Sequence, residues 1–171
     1  MQKIVFLNGP SSAGKTSIAN KLQETASHNF MQIGIDKVIS MMPDHLNDWT
    51  GKHSAKGFWW QINLDENGTA CSEIMLGDFA EKVSKSFFSM TKSLLNDGHN
   101  VIIDEICLEQ KKAYNWQALL SNFDTYYIGI TADLKELEER EKARGNRMIG
   151  SARSQIELVH TVGFESVDII V

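Results

Sequence analysis

The sequence predicts an α/β fold in which a mainly parallel, five-stranded sheet lies between layers of helix. Three observations point there. Continuous apolar runs of four or five residues recur along the chain, as strands buried on both faces require. Stretches with helical periodicity alternate with them, the pattern of a parallel sheet with crossover helices. The first run also ends in a glycine-rich turn that opens a helix.

Size and composition agree with this class. The 171 residues carry 17 Lys and Arg against 22 Asp and Glu, a net charge of −5, and this length suits a single domain spanning 1–171. The apolar share of 42% with 12 glycines is that of an ordinary globular protein. An acidic balance argues against a broad nucleic-acid footprint and leaves basic work to local clusters. No stretch approaches the ~18–20 apolar residues that span a bilayer, and the start of the chain lacks a leader pattern. A soluble cytoplasmic protein is expected, with neither nucleic acid nor membrane as partner. Cys71 and Cys107 have no CxxC neighbour and read as reduced core thiols.

Taken in order, Ile4-Val5-Phe6-Leu7 is the first strand and stops at Asn8-Gly9-Pro10. Ile18, Leu22 and Ala26 recur every four residues, giving a helix from Lys15. Phe30 to Ile35 is a second strand running into Asp36, followed by a short helix stopped by Pro43. An excursion over about 43–72 lacks a clear period, holds Trp49 and Phe58-Trp59-Trp60, and suggests a hairpin at Asn67-Gly68. These aromatics could form an apolar acceptor pocket with Met41 and Met42 or simply cover one end of the sheet. From Glu73, the series Leu76, Phe79, Val83, Phe87, Met90 and Leu94 predicts one long helix ending at Asp97-Gly98. Val101 to Asp104 is a third strand, Gln110 to Leu120 a helix, and Tyr126 to Ile130 a fourth strand. A polar helix runs from near Asp133 to Gly145, another covers Ser151 to Val159, and Val167 to Val171 suits a last strand.

The chemistry is concentrated at the first turn. Gly9-Pro10-Ser11-Ser12-Ala13-Gly14-Lys15-Thr16 fits G-x-x-x-x-G-K-[ST] between a buried strand and a helix, which is the context the motif needs. Glycines there let backbone N–H groups close around phosphate, and the helix N-terminus adds positive potential. Lys15 is expected to reach the β- and γ-phosphates, Thr16 to ligate Mg²⁺, and Ser17 to complete the nucleotide set. The fold expectation thereby becomes a P-loop kinase-like three-layer fold, and ATP with Mg²⁺ the expected cofactors.

Two carboxylates follow strands. Asp36 and Asp104 would both project at the carboxyl edge of the sheet, where open α/β folds bind ligands. Asp104 is assigned to water-mediated Mg²⁺ contact and Asp36 to a general base on an acceptor hydroxyl; the alternative for either is a helix N-cap. Arg140, Arg144 and Arg147 are spaced by four and three, so they could line one helix face and close over phosphates as a lid over about 140–153. Arg140 could equally pair with neighbouring glutamates, and Arg153 is a weaker member of the lid.

Together these residues resemble the chloramphenicol phosphotransferase-like family of small P-loop kinases. NGPSSAGKTS is similar to its phosphate loop, GIDKVISMMP to its strand-Asp-helix segment, VIIDEI to its third strand end, and ERxxARGNR to its lid. A weaker similarity continues through Gln155, Val159 and His160. The resemblance implies ATP-dependent phosphorylation of a small-molecule hydroxyl, with Asp36 at the position of the catalytic base. The middle excursion departs from the pattern associated with chloramphenicol binding, which leaves the acceptor open, and near the end Phe164-Glu165-Ser166 replaces the family's Tyr-Asp pair and Ile170 stands where its last strand usually ends in Asp. Competing readings are a zeta-toxin-like nucleotide-sugar kinase and a nucleotide-binding module without catalysis.

Overall fold

The computed structural model describes residues 2–144, 148–164 and 167–170. Strands are β1 (Lys3–Asn8), β2 (Phe30–Gly34), β3 (Phe58–Leu64), β4 (Ala70–Leu76), β5 (Asn100–Glu105), β6 (Asp124–Thr131) and β7 (Val167–Ile170). Helices are α1 (Lys15–Thr25), α2 (Ile35–Ile39), α3 (Asp78–Asn96), α4 (Gln110–Leu120), α5 (Leu134–Arg144) and α6 (Ser151–Gln155). Five strands form one sheet in the order β2-β5-β1-β6-β7, every neighbouring pair parallel. The expected α/β architecture is therefore the observed one.

Alternation along the strands divides the core into two layers. Ile4, Phe6, Val101 and Ile103 pack against Val83, Phe87 and Leu95 of α3 and Trp116 and Leu120 of α4. Leu7, Ile102 and Ile130 pack on the opposite face with Ala19 of α1, Leu137 of α5 and Ala152 of α6. Each face takes every second residue of a strand, so continuous apolar runs serve both layers. Trp116 is the hub of the first layer, meeting Phe6 and Phe87 edge-on with centroids 5.5 and 5.3 Å away.

Register places the functional ends level. Asn8 pairs with Glu105 and Gly34 with Asp104, so the turn after β1, the start of α2 and the end of β5 meet at one edge. A side chain at Gly34 would press on the backbone and Cβ of Asp104, so glycine is what permits this approach. Strand alternation then separates two adjacent carboxylates. Asp104 faces the edge, while Glu105, 1% exposed, accepts from the Trp116 indole at 3.3 Å and pairs with Lys112 at 3.0 Å.

Three expected boundaries move. The long helix starts at Asp78 rather than Glu73, because Glu73 to Leu76 pair with β3 in an antiparallel hairpin. Leu76 and Phe79 share the helical spacing by coincidence and are largely exposed; the buried stripe is Ala80, Val83, Phe87, Thr91 and Leu95. Ile35 is the first residue of α2 rather than the last of β2, and α2 ends at Ile39. α6 stops at Gln155, with turns rather than helix through His160. Among the described residues, no helix is long and apolar enough to cross a membrane.

Cys107 lies in the core, fully buried, and burial with the Glu105 carboxylate beside it pushes its thiol up to about 11. The folded state thus holds it neutral beyond the unfolded value of about 8.5, a preference present below that pH and lost as pH rises towards the folded value. A thiol-exchange reagent at pH 8.5 should label Cys107 only after denaturation. Peptide mapping of the labelled native protein checks this, and fast native labelling at Cys107 would contradict it.

Candidate active site

The turn from β1 into α1 is built by steric necessity. A Cβ at Gly9 would collide with the Ile130 carbonyl oxygen of β6, so β1 can enter the turn only through glycine. Gly14, which precedes α1, has φ +96°, and Ser12 has φ +62°. A non-glycine residue in this left-handed region is strained, a feature that clusters at ligand sites. The Ser12 hydroxyl is buried and has no hydrogen-bond partner among the described residues. An orphaned polar atom in a strained loop fits a place where a ligand oxygen completes the bonding.

Lys15 is only 7% exposed, and its Nζ donates to the carbonyls of Gly9 at 3.0 Å and Pro10 at 2.9 Å. Thr16 Oγ1 donates to Asp104 Oδ2 at 2.7 Å. A hydroxyl and a carboxylate side by side form the all-oxygen set that suits a hard divalent cation. The loop forms one wall of a cleft of about 260 Å³, which Ser11, Ser12, Gly14, Lys15 and Thr16 line. Asp36, Asp104 and Arg144 border the same space, with Gln32 and Lys37 beside Asp36. Lys37 Nζ is held by Gln32, 2.9 Å from its amide oxygen.

The cleft thus unites most of the residues singled out from sequence. Gly9, Pro10 and Ala13 shape the loop from behind, Ala13 within the core, and Ser17 is exposed on α1. Arg140 also stands behind the loop. Its guanidinium donates to the Ser12 carbonyl at 3.3 Å and to Glu136 at 2.6 Å, so the expected glutamate pairing is present, and the side chain braces the loop without bordering the cleft. Arg147 lies outside the described residues. Arg153 does not join the lid; it bonds Glu138 at 2.6 Å and Asp65 at 3.2 Å, fastening α5 to the hairpin turn.

Of the two roles weighed for the aromatic excursion, covering the sheet fits the observed packing. Phe58 and Trp60 are buried, Phe58 and Met42 packing into the α3 layer, and Trp49 stacks on Phe58. None of them borders the cleft. Two buried polar residues assigned no role from sequence also brace this region. Glu141 accepts from Gly150 N, Ala152 N and the Ser151 hydroxyl, and the Gln155 amide oxygen accepts from Ser11 N at 2.7 Å.

The chloramphenicol phosphotransferase-like family matches residues 2–169. The chain belongs to that family. Membership makes it a phosphotransferase of the kinase type. Two Mycobacterium tuberculosis proteins, "Putative O-phosphotransferase Rv2636" (strain ATCC 25618 / H37Rv) and "Putative O-phosphotransferase MT2714" (strain CDC 1551 / Oshkosh), are each 26% identical to this family member over 158 residues. The match covers 92% of this chain and 70% of each relative. Solved structures share the fold. A sugar kinase from Janibacter sp. HTCC2649 superposes with a TM-score of 0.62 at 14% identity, over 100% of this chain and 85% of that one. A chain of the Pnkp1/Rnl/Hen1 RNA repair complex gives 0.66 at 14% identity over 94% of this chain, which spans only 45% of that protein.

Gly9→Ala should destabilise the protein by about 1–3 kcal/mol, the usual cost of forcing atoms into a packed site. Urea unfolding would register this as a lower midpoint at unchanged slope.

Proposed function

We propose that this chain is an ATP- and Mg²⁺-dependent phosphotransferase that moves the γ-phosphoryl group to a hydroxyl of a small molecule. One observation carries the reading: the phosphate loop and the two strand-end carboxylates, Asp36 and Asp104, border a single cleft of about 260 Å³. The distance between sequence positions 15, 36 and 104 is thereby erased at the carboxyl edge of the sheet.

In this reading the loop amides, Lys15 and the Ser12 hydroxyl bind the triphosphate. Thr16 would hold Mg²⁺ directly and Asp104 through water, and the ion would supply charge neutralisation between the β- and γ-phosphates. Asp36, in the first turn of α2, accepts the acceptor's hydroxyl proton. The acceptor oxygen then forms its bond to the γ-phosphorus as the bond to the ADP oxygen breaks. Arg144, and Arg147 from the family's lid motif, stabilise charge on the phosphoryl oxygens. Gln32 and Lys37 make the surroundings of Asp36 polar, favouring a hydrogen-bonding acceptor over an apolar one.

Asp36→Ala should lower turnover by ~10²- to 10⁴-fold, the usual worth of general-base assistance, with ATP affinity little changed. ADP release across a panel of hydroxylated small molecules that includes chloramphenicol measures this, with Lys15→Ala as the nucleotide-side control. Equal turnover in wild type and Asp36→Ala would remove Asp36 from the mechanism, and ATP binding with no acceptor-dependent turnover would favour a binding module. Asp104→Asn should raise the Mg²⁺ concentration for half-maximal activity about 10- to 100-fold, as loss of an outer-shell partner does. A Mg²⁺ titration at fixed ATP reads that shift directly.

A further inference from the structure

The segment from 148 to 160 reaches inside the phosphate loop through a buried amide. Gln155 is 3% exposed, and its Oε1 accepts the Ser11 backbone N–H at 2.7 Å across 144 positions of sequence. Ser11 is itself buried and borders the cleft. Its neighbour Ser12 carries the loop's strained backbone and orphaned hydroxyl. The bond therefore fixes the Pro10–Ser11 peptide, immediately ahead of the most constrained residue of the loop.

Gln155 is held in turn from several directions. At the start of α6, the Glu141 carboxylate of α5 accepts from Gly150 N at 2.9 Å and Ala152 N at 2.7 Å. Beyond α6, Val159 N donates to the Gln155 carbonyl at 2.9 Å. The Val159 carbonyl accepts from Asn8 Nδ2 at 2.7 Å, and Asn8 is the residue before the loop. The segment thus grips the loop at two points, at its entry through Asn8 and inside it through Ser11.

We infer that Gln155 is a positioning residue for nucleotide binding, its side-chain oxygen fixing the Ser11 peptide so that the loop is preformed for phosphate. This rests on the loop being the ATP site. The side-chain chemistry fits the task. A neutral amide oxygen satisfies a buried N–H without setting a negative charge beside phosphate, whereas a carboxylate would satisfy the N–H and repel the ligand. A hydrocarbon of similar size would leave the N–H unpaired and the peptide unrestrained.

The test compares wild type, Gln155→Leu and Gln155→Glu as full chains. Binding of Mg²⁺·ATP is titrated, exchange of the Ser11 amide is followed by NMR, and thermal midpoints are recorded. In Gln155→Leu, Ser11 exchange should accelerate and ATP affinity fall about three- to tenfold, the worth of one neutral hydrogen bond, with turnover at saturating ATP little changed. Gln155→Glu should keep the Ser11 amide protected yet bind ATP more weakly than wild type, less so as salt rises. Either variant suffices if the other fails to fold. A lowered midpoint with unchanged ATP affinity would make Gln155 a packing residue and overturn the inference alone. Failure of the wild type to bind ATP would overturn the nucleotide reading and this inference with it.

Discussion

Everything at the cleft depends on β1 running parallel between β5 and β6. That pairing brings Asn8 level with Glu105 on one side and Gly129 on the other, so the chain must turn where Ile130 already crowds it. Only glycine passes at position 9. The loop that follows is therefore bent by its neighbours rather than by its own preferences, and Ser12 accepts a backbone conformation that few non-glycine residues adopt. Such strain persists only where surrounding structure over-determines it, and here the surroundings are identifiable: β6 behind Gly9, Arg140 on the Ser12 carbonyl and Gln155 on the Ser11 amide.

The polar groups of α5 and α6 form a second level of organisation. Glu138, Glu141, Arg140 and Arg153 all bond partners outside their own helix. Arg153 reaches the Asp65 turn of the β3–β4 hairpin, while Ser72 of β4 exchanges bonds with Gly150 and Ser154. Asp65 is organised as well, since the Thr69 N–H holds its carboxyl below the usual carboxylate range. The hairpin, the two helices and the phosphate loop are thus joined by charge-assisted bonds, while the apolar layers hold the sheet.

Much of this was legible in the sequence, for reasons that differ by residue. Strands buried on both faces announce themselves as unbroken apolar runs, so β1 and β5 were readable almost to the residue. The loop was readable because its glycines, lysine and threonine carry positional meaning, and Asp36 and Asp104 because they fall just after or at the carboxyl end of an apolar run. The α3 boundary was not, since Glu73 and Leu76 fit a helical period that pairing with β3 overrides. Glu141 was silent, and Gln155 was named only within the weaker family similarity and given no role, for another reason. Each looks like an ordinary polar residue in a polar helix, and its value comes from a partner that only the fold brings near. Arg153, the weaker candidate for the lid, is claimed instead by Glu138 and Asp65.

Lys15 carries one more consequence. Its ammonium rests against two carbonyls of its own loop and is almost withdrawn from solvent, so the cost of stripping its water is met during folding rather than at encounter. An incoming phosphate then competes with bonds the ammonium already makes instead of dismantling a hydration shell. The resting protein is in this sense a molecule bound to itself, and its grip on any anion is the margin by which that anion is the better partner.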